Sequence, residues 1–290
     1  MTLLHEWPLV LFTLTVQLAV GLYLALLTTK SLLRAGHPAG RPIGQGPFLL
    51  VGVLMAAALA VSLLHLGAPM SAVFSLSNLE ESWLSREILV VLLFLGLLGL
   101  AYWVGMRPGK APWMARSLAW ATALAGIALI WVMARIYMVP ARPLWDHWLT
   151  AAGFLLTTLL LGTVAVAAYL ERPLGSGAGT PGAPFLARPT LLAVGFGASL
   201  AQIATTLTHP ITAEIMTAPG GTSLAGLRLL LLLGGASLLV IPLARSSFPG
   251  GLASQARRQR PWAAGALLLL GASEVVGRVL FYAVGPVIPF

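Results

Sequence analysis

The sequence contains no cysteine. That absence excludes a disulfide framework, a thiolate-held iron–sulfur cluster, a Cys-ligated zinc and a cysteine nucleophile. Charge is almost as scarce. Asp, Glu, Lys and Arg make up 9% of the 290 residues, against about 25% in an ordinary soluble domain. So few charges cannot cover the surface of a soluble fold of this size, and a soluble globular enzyme is excluded. What fills the chain instead is apolar: 58% of residues are hydrophobic and the mean hydropathy is +0.92. Most of the chain must therefore meet lipid. The net charge of +9 would suggest nucleic acid in a soluble protein. In a membrane protein it points first to basic cytoplasmic loops, so no nucleic-acid partner is expected.

Crossing a bilayer core takes about 20 mostly apolar residues as a helix. Every backbone polar group must be satisfied internally, which leaves helices or a closed barrel. The apolar runs do not alternate with period two, so the expected fold is all-α. Eight transmembrane segments are predicted: Trp7–Thr29, Gly46–His65, Leu84–Met106, Trp113–Met138, Asp146–Leu170, Phe185–Leu207, Leu224–Ala244 and Pro261–Ala283. The connectors are short and mostly rich in Pro and Gly. The longest, Glu171–Pro184, reads as a flexible linker inside a single membrane domain, 1–290, with four-helix halves 1–170 and 185–290. No connector is long enough to fold a soluble domain.

Loop charge predicts the orientation. The first connector carries Lys30, Arg34 and Arg41 with no acid. Arg107 and Lys110 occupy the third, with Arg116 just inside the next helix, and Arg245, Arg257, Arg258 and Arg260 occupy the seventh. The fifth is weaker, with Glu171, Arg172 and Arg188. Even-numbered connectors carry Glu80 and Glu81, then Arg142 and Asp146, then Glu214. Basic loops stay in the cytoplasm, so both termini are expected outside. Trp7, Trp83, Trp113, Trp145, Trp148 and Trp262 fall at predicted helix ends, as an interfacial aromatic belt requires.

An ionisable side chain at membrane depth is costly and is a functional candidate by default. Glu87, Arg135, Glu274 and Arg278 qualify, with His65, Arg86, His209, Glu214 and Arg228 at helix ends. In the predicted topology nearly all of them share the outer end, although they come from different helices. Each also has a plain structural reading. Glu274 and Arg278 are spaced i,i+4, acid first, and suit a self-neutralising intrahelical pair. Arg135 suits a side chain that snorkels to the interface. His65 suits an interfacial residue, and His209, before Pro210, a turn residue.

The residues narrow the chemistry further. A membrane-embedded haem generally needs facing axial histidines, and no His sits in the middle of a predicted span, so no haem is expected. No metal-ligand spacing such as H-E-x-x-H occurs. A lipid-facing cluster of His, carboxylate and Arg suits a quinone head group. Its oxygens need a hydrogen-bond donor and, when quinol is oxidised, a proton acceptor. Ion or proton translocation would need acids strung across the membrane, and the inner halves lack them. A transporter without redox partners is the alternative from another class. It would require related halves and discontinuous helices.

The residues also resemble a known family. His5–Gly21 (HEWPLVLFTLTVQLAVG), Leu63–Asn78 (LLHLGAPMSAVFSLSN), Leu84–Ile88 (LSREI), Trp131–Tyr137 (WVMARIY) and Glu274–Tyr282 (EVVGRVLFY) look like the DmsC-type anchor subunits of dimethyl sulfoxide reductases, in the same order and over nearly the whole chain. The resemblance implies eight spans with both ends outside, in the cytoplasmic (inner) membrane of a prokaryote. It implies a subunit that binds neither haem nor iron–sulfur cluster, oxidises menaquinol to menaquinone, and passes electrons to an iron–sulfur subunit and a molybdopterin catalytic subunit. The family's quinol-site histidine falls on His65 and its acidic site residue, the proton acceptor, on Glu87. Arg135, Glu274 and Arg278 match as quinol-site residues or their supports. Related anchors serve other substrates or run in reverse, reducing quinone with electrons from sulfite or another donor. The sequence does not distinguish these.

Overall fold

A computed structural model describes residues 7–36, 43–65, 78–107, 112–170, 184–246 and 261–283; within these, the side chains of 34–36, 63–65, 184–186 and 245–246 are outside the description. Nine helices occur among the described residues: α1 Trp7–Gly36, α2 Gly46–His65, α3 Trp83–Gly105, α4 Pro112–Tyr137, α5 Trp148–Leu170, α6 Pro184–Thr208, α7 Ile211–Thr217, α8 Gly221–Ser246 and α9 Trp262–Ala283. No strand occurs among those residues. The linker stretch 171–183, His5 and His37 lie outside the described residues.

The chain is an all-helical integral membrane protein. Seven helices are long and apolar enough to cross a bilayer: α1, α3, α4, α5, α6, α8 and α9. The apolar part of α2 over Gly46–Ser62 is shorter. Local chemistry fixes several ends. Ser82 caps α3 by accepting the Ser85 amide at 3.3 Å, satisfying one of the orphan donors of the first turn. Pro112 opens α4, where its missing N–H costs nothing. α1 runs on to Gly36, beyond the predicted Thr29. Once the apolar run ends, polar Lys30 and Ser31 continue the helix, and the Ser31 hydroxyl donates to the Leu27 carbonyl at 2.9 Å. α7 is too short to show a period in the sequence. Its Ile211 and Ile215, one turn apart, pack with Trp145, Ala225 and Leu280.

α1 and α5 form the centre. α1 packs on α2, α4, α5 and α6, α5 also packs on α6 and α9, and α3–α4 and α8–α9 pair on the flanks. Hydrophobicity cannot drive this assembly, because lipid tails are as apolar as Leu; close packing and interhelical hydrogen bonds must do so. The tightest approach is between α1 and α5. A Cβ on Gly162 would lie 2.1 Å from the Gly21 carbonyl carbon, and one on Gly21 would lie 2.0 Å from the Thr158 oxygen. Tyr23, in the same helix as Gly21, donates its hydroxyl across to the Ala119 carbonyl on α4 at 2.9 Å. Large apolar side chains such as Leu124, Leu230 and Leu268 are exposed on the outer faces, where acyl chains would cover them.

Candidate functional site

The starts of α1, α3, α5 and α8 meet the ends of α4, α6 and α9 at one end of the bundle. A polar seam runs through this end. Glu274 on α9 accepts the Thr157 hydroxyl from α5 at 2.6 Å and the Gln202 amide from α6 at 3.1 and 3.0 Å. Gln202 also donates to Thr157 Oγ1 at 3.0 Å. One turn on, Arg278 donates to Gln17 Oε1 on α1 at 2.8 Å, and its guanidinium lies 4.0 Å from the Phe154 ring centroid. Gln17 in turn donates to the Phe154 carbonyl at 2.9 Å. All four polar side chains, Gln17, Gln202, Glu274 and Arg278, are buried.

Glu274 and Arg278 make no ion pair with each other. Four residues turn a helix by about 40° beyond a full revolution, and on α9 that offset is enough to hand Glu274 to α5 and α6 and Arg278 to α1. Both side chains therefore tie helices together rather than neutralising each other along one. Arg228 from α8 completes the seam. A Cβ on Gly277 would come within 2.6 Å of the Arg228 guanidinium carbon, so a larger residue at that position would displace the arginine head. The Arg228 Nε is buried and makes no hydrogen bond among the described residues. Arg228, Glu274, Arg278 and His209 border a cavity of about 80 Å³.

Glu87, on α3, belongs to the same end of the bundle. It is buried in the second turn of α3 and makes no hydrogen bond among the described residues. Tyr137 at the end of α4 and Tyr282 near the end of α9 share a hydroxyl–hydroxyl hydrogen bond of 2.7 Å. Both tyrosines are close enough to feel the charges of Glu87 and Arg278. The tyrosine pair thus lies near both the carboxyl group and the guanidinium. Phe281 and Trp145 stack beside it with centroids 5.0 Å apart. His65 is the last residue of α2.

Arg135 and Arg86 stand apart from the seam. Their guanidiniums share Trp83, at 5.2 and 4.3 Å from its ring, and Arg86 Nε donates to the Leu79 carbonyl at 2.9 Å. Charge was the sequence criterion, and it passed over Gln17, Thr157, Gln202, Tyr137 and Tyr282. The available signal was a neutral polar residue inside an apolar run, as Gln17 is in LFTLTVQLAV and Gln202 in ASLAQIATT. Among the described residues, no group of three or more His, Cys, Asp or Glu could hold a metal ion.

His209 ends the seam just beyond the α6 span. Its Nδ1 accepts the Ile211 amide at 3.2 Å. Its Nε2 lies 3.3 Å from Thr150 Oγ1, whose own proton goes to the Trp145 carbonyl at 2.8 Å. These partners assign the ring proton to Nε2. Burial, then His147 and then Arg228, push His209 down to about 4. An unfolded imidazole titrates near 6.5, so between about 6.5 and about 4 the unfolded chain binds more protons than the folded one. The stability that neutral His209 contributes is full above that window and is lost as the pH falls through it. Thermal unfolding across the window is expected to be flatter for His209→Gln than for the parent chain; identical slopes would remove His209 from this role.

A buried polar seam held by several helices marks this end of an integral membrane protein as its candidate site. The family described as DMSO reductase anchor subunit (DmsC) matches residues 1–284. The anaerobic dimethyl sulfoxide reductase chain YnfH of Escherichia coli (strain K12) is 32% identical over 293 residues, covering 96% of this chain and 94% of the relative. Two proteins named as the C chains of anaerobic dimethyl sulfoxide reductases match over about half of their own length. The one from Haemophilus influenzae is 34% identical over 55% of this chain and 56% of its own. The one from Escherichia coli (strain K12) is 34% identical over 54% and 55%. The chain belongs to the DMSO reductase anchor subunit family and is a membrane anchor of a complex of that kind.

Proposed function

We propose that this anchor oxidises menaquinol at the end of the bundle that holds Glu87, and passes the electrons to an iron–sulfur subunit that serves a molybdopterin catalytic subunit. The observation that carries this reading is Glu87 itself: a carboxyl group buried in a span, with no hydrogen-bond partner among the described residues, on the helix that follows His65. An ionisable group in such surroundings is costly and is by default a candidate for a site that exchanges protons. Quinol oxidation releases two electrons and two protons. His65 holds one quinol oxygen; Glu87 accepts one proton from the quinol, and the second leaves the oxygen held by His65 for the outer aqueous phase. Arg278, fixed by Gln17 and Phe154, supplies positive charge beside the Tyr137–Tyr282 pair.

In this reading α2 is the eighth span. Its 20 residues rise about 30 Å, the thickness of the hydrocarbon core. Residues 1–290 form one domain of two four-helix halves in the cytoplasmic membrane of a prokaryote. The basic connectors face the cytoplasm, both termini lie outside, and the quinol end faces outward. The chain has no thiolate to hold a cluster, and electron tunnelling weakens steeply with distance. The iron–sulfur partner therefore docks on the outer face, against the connectors that carry Glu80, Asp146 and Glu214. The test is isolation of the tagged chain from its native membranes. It should bring down an iron–sulfur subunit and a molybdopterin subunit, and the complex should oxidise an added menaquinol analogue. A chain that comes down alone and moves a solute between leaflets would make it a transporter instead.

A further inference from the structure

Arg228 is the part of the polar seam that quinol oxidation leaves unused. Its side chain makes no hydrogen bond among the described residues, and its Nε is buried. The head is nevertheless held in place, since a Cβ on Gly277 would lie 2.6 Å from both its Nε and its guanidinium carbon. It borders the cavity of about 80 Å³, where the other charged groups are Glu274 and Arg278. Both Glu274 oxygens are already taken, by the Thr157 hydroxyl and the Gln202 amide. Glu274 therefore acts on Arg228 through space without accepting from it, and Arg278 acts on it with the same sign.

Two guanidiniums against one carboxylate leave the cavity with an excess positive charge, and His209, pushed down to about 4, is neutral at pH 7. Of the other acids in the chain, Glu80, Glu81, Asp146 and Glu214 are exposed, and Glu87, buried on α3, is not among the lining residues. Glu6 and Glu171 lie outside the described residues. Glu171 follows α5 at the opposite end, and Glu6 precedes α1 at this one. A buried cation without an acceptor in reach is costly, and the donors of a guanidinium suit an oxyanion or a halide. Two further donors are at hand. The Thr205 and Thr206 hydroxyls both donate to the Gln202 carbonyl, at 3.0 and 2.7 Å. The helix ladder already satisfies that carbonyl, so either proton can turn to a ligand without orphaning a backbone group. A volume of about 80 Å³ is the liquid share of roughly two to three waters. It is far below the roughly 300–1,000 Å³ of sites that enclose a whole small molecule, so a quinone head group does not fit. A halide or a formate-sized carboxylate does. A second negative charge would only reverse the excess, so the matching ion is monovalent.

We propose that this cavity binds one small monovalent anion, a halide or a formate-sized carboxylate, between Arg228 and Arg278, with a Thr205 or Thr206 hydroxyl turned towards it. Arg228 presents N–H donors to the ion. Arg278, whose head is fixed by Gln17 and Phe154, supplies charge. The bound ion neutralises the seam and ties α8 to α6 and α9. The site does not depend on the quinol reading, and its test reads binding rather than turnover.

The test uses the full chain in a mild detergent, in sodium chloride, sodium formate or sodium gluconate at equal ionic strength, with the Tm followed against anion concentration. Chloride, formate or both are expected to raise the Tm along a saturating curve; which of them does so separates a halide from a carboxylate site. Gluconate, too large for the cavity, should not. Removing the charged donor to a buried ion should weaken the apparent Kd roughly 30-fold or more in Arg228→Gln. Gly277→Ala keeps every charge but displaces the Arg228 head, and should weaken binding as well. Arg142→Gln, which removes a cation outside the cavity lining, should stay within about threefold. Equal curves in all three salts would leave the cavity to water alone and overturn the proposal, and so would a rise that never saturates or an unchanged Kd in Arg228→Gln. An anion response that appears only in Glu6→Gln would make Glu6 the occupant and overturn it too.

Discussion

Glu87→Gln is expected to lower quinol-dependent turnover by about 10²–10⁴-fold, the usual contribution of a positioned general base, while dye-driven activity of the catalytic partner stays at the parental level. Gln keeps the volume and the polarity of Glu87, so the packing of α3 is preserved. It cannot take up the proton that quinol must lose. The acid limb of the pH–rate profile should disappear with the carboxyl group. His65→Ala should remove quinol turnover in the same selective way, by removing the partner that holds the other end of the head group. A Glu87→Gln complex with the parental rate and the parental pH profile would reject Glu87 as the proton acceptor. Loss of dye-driven activity as well would mean that assembly, not quinol chemistry, had failed.

The second large effect is structural. Gly162→Leu should destabilise the bundle by about 3 kcal/mol or more, seen as loss of folded protein in the membrane and of the co-isolated partners. A Cβ at 162 meets the backbone of Gly21 at 2.1 Å, and backbone atoms cannot rotate out of the way as a side-chain tip can. The contact joins α1 to α5, and these two helices position Gln17, Phe154 and Thr157, which hold Arg278 and Glu274. Separating them therefore opens the polar seam as well as the core. Gly99→Ala on α3, where an added Cβ meets nothing within 4 Å, should be neutral or slightly stabilising because it only improves helix propensity. If the two substitutions behaved alike, close backbone approach would not be what holds α1 against α5.

Much of the fold was legible because lipid restricts the choices. Apolar runs of span length could be little other than helices, and the observed ends of α3, α4, α5 and α9 lie within two residues of those expected. α7 was not legible. At seven residues it is stabilised by tertiary contacts of Ile211 and Ile215, and these leave no period to read. The site was legible as a list of ionisable groups and not as an arrangement. Glu274 and Arg278 at i,i+4 fitted an intrahelical pair. Their use by three other helices depends on what stands opposite α9, which local spacing does not encode. Arg135 qualified by the same charge criterion, yet it rests on Trp83 with Arg86, away from the seam.

The sequence by itself determined that this protein lives in lipid, that it is helical, and that it holds no metal centre on thiolates, because these follow from composition and from the cost of unpaired backbone in hydrocarbon. The resemblance of its motifs already pointed to the family that the comparisons establish. Only the tertiary structure decided which polar groups meet. It joined Gln17, Thr157, Gln202, Glu274 and Arg278 across four helices, left Glu87 without a hydrogen-bond partner among the described residues beside two tyrosines, and brought Arg228 to one cavity with Glu274 and Arg278. A buried polar group must find its partner wherever packing supplies one, and in a bundle that partner belongs to a neighbouring helix far away in sequence.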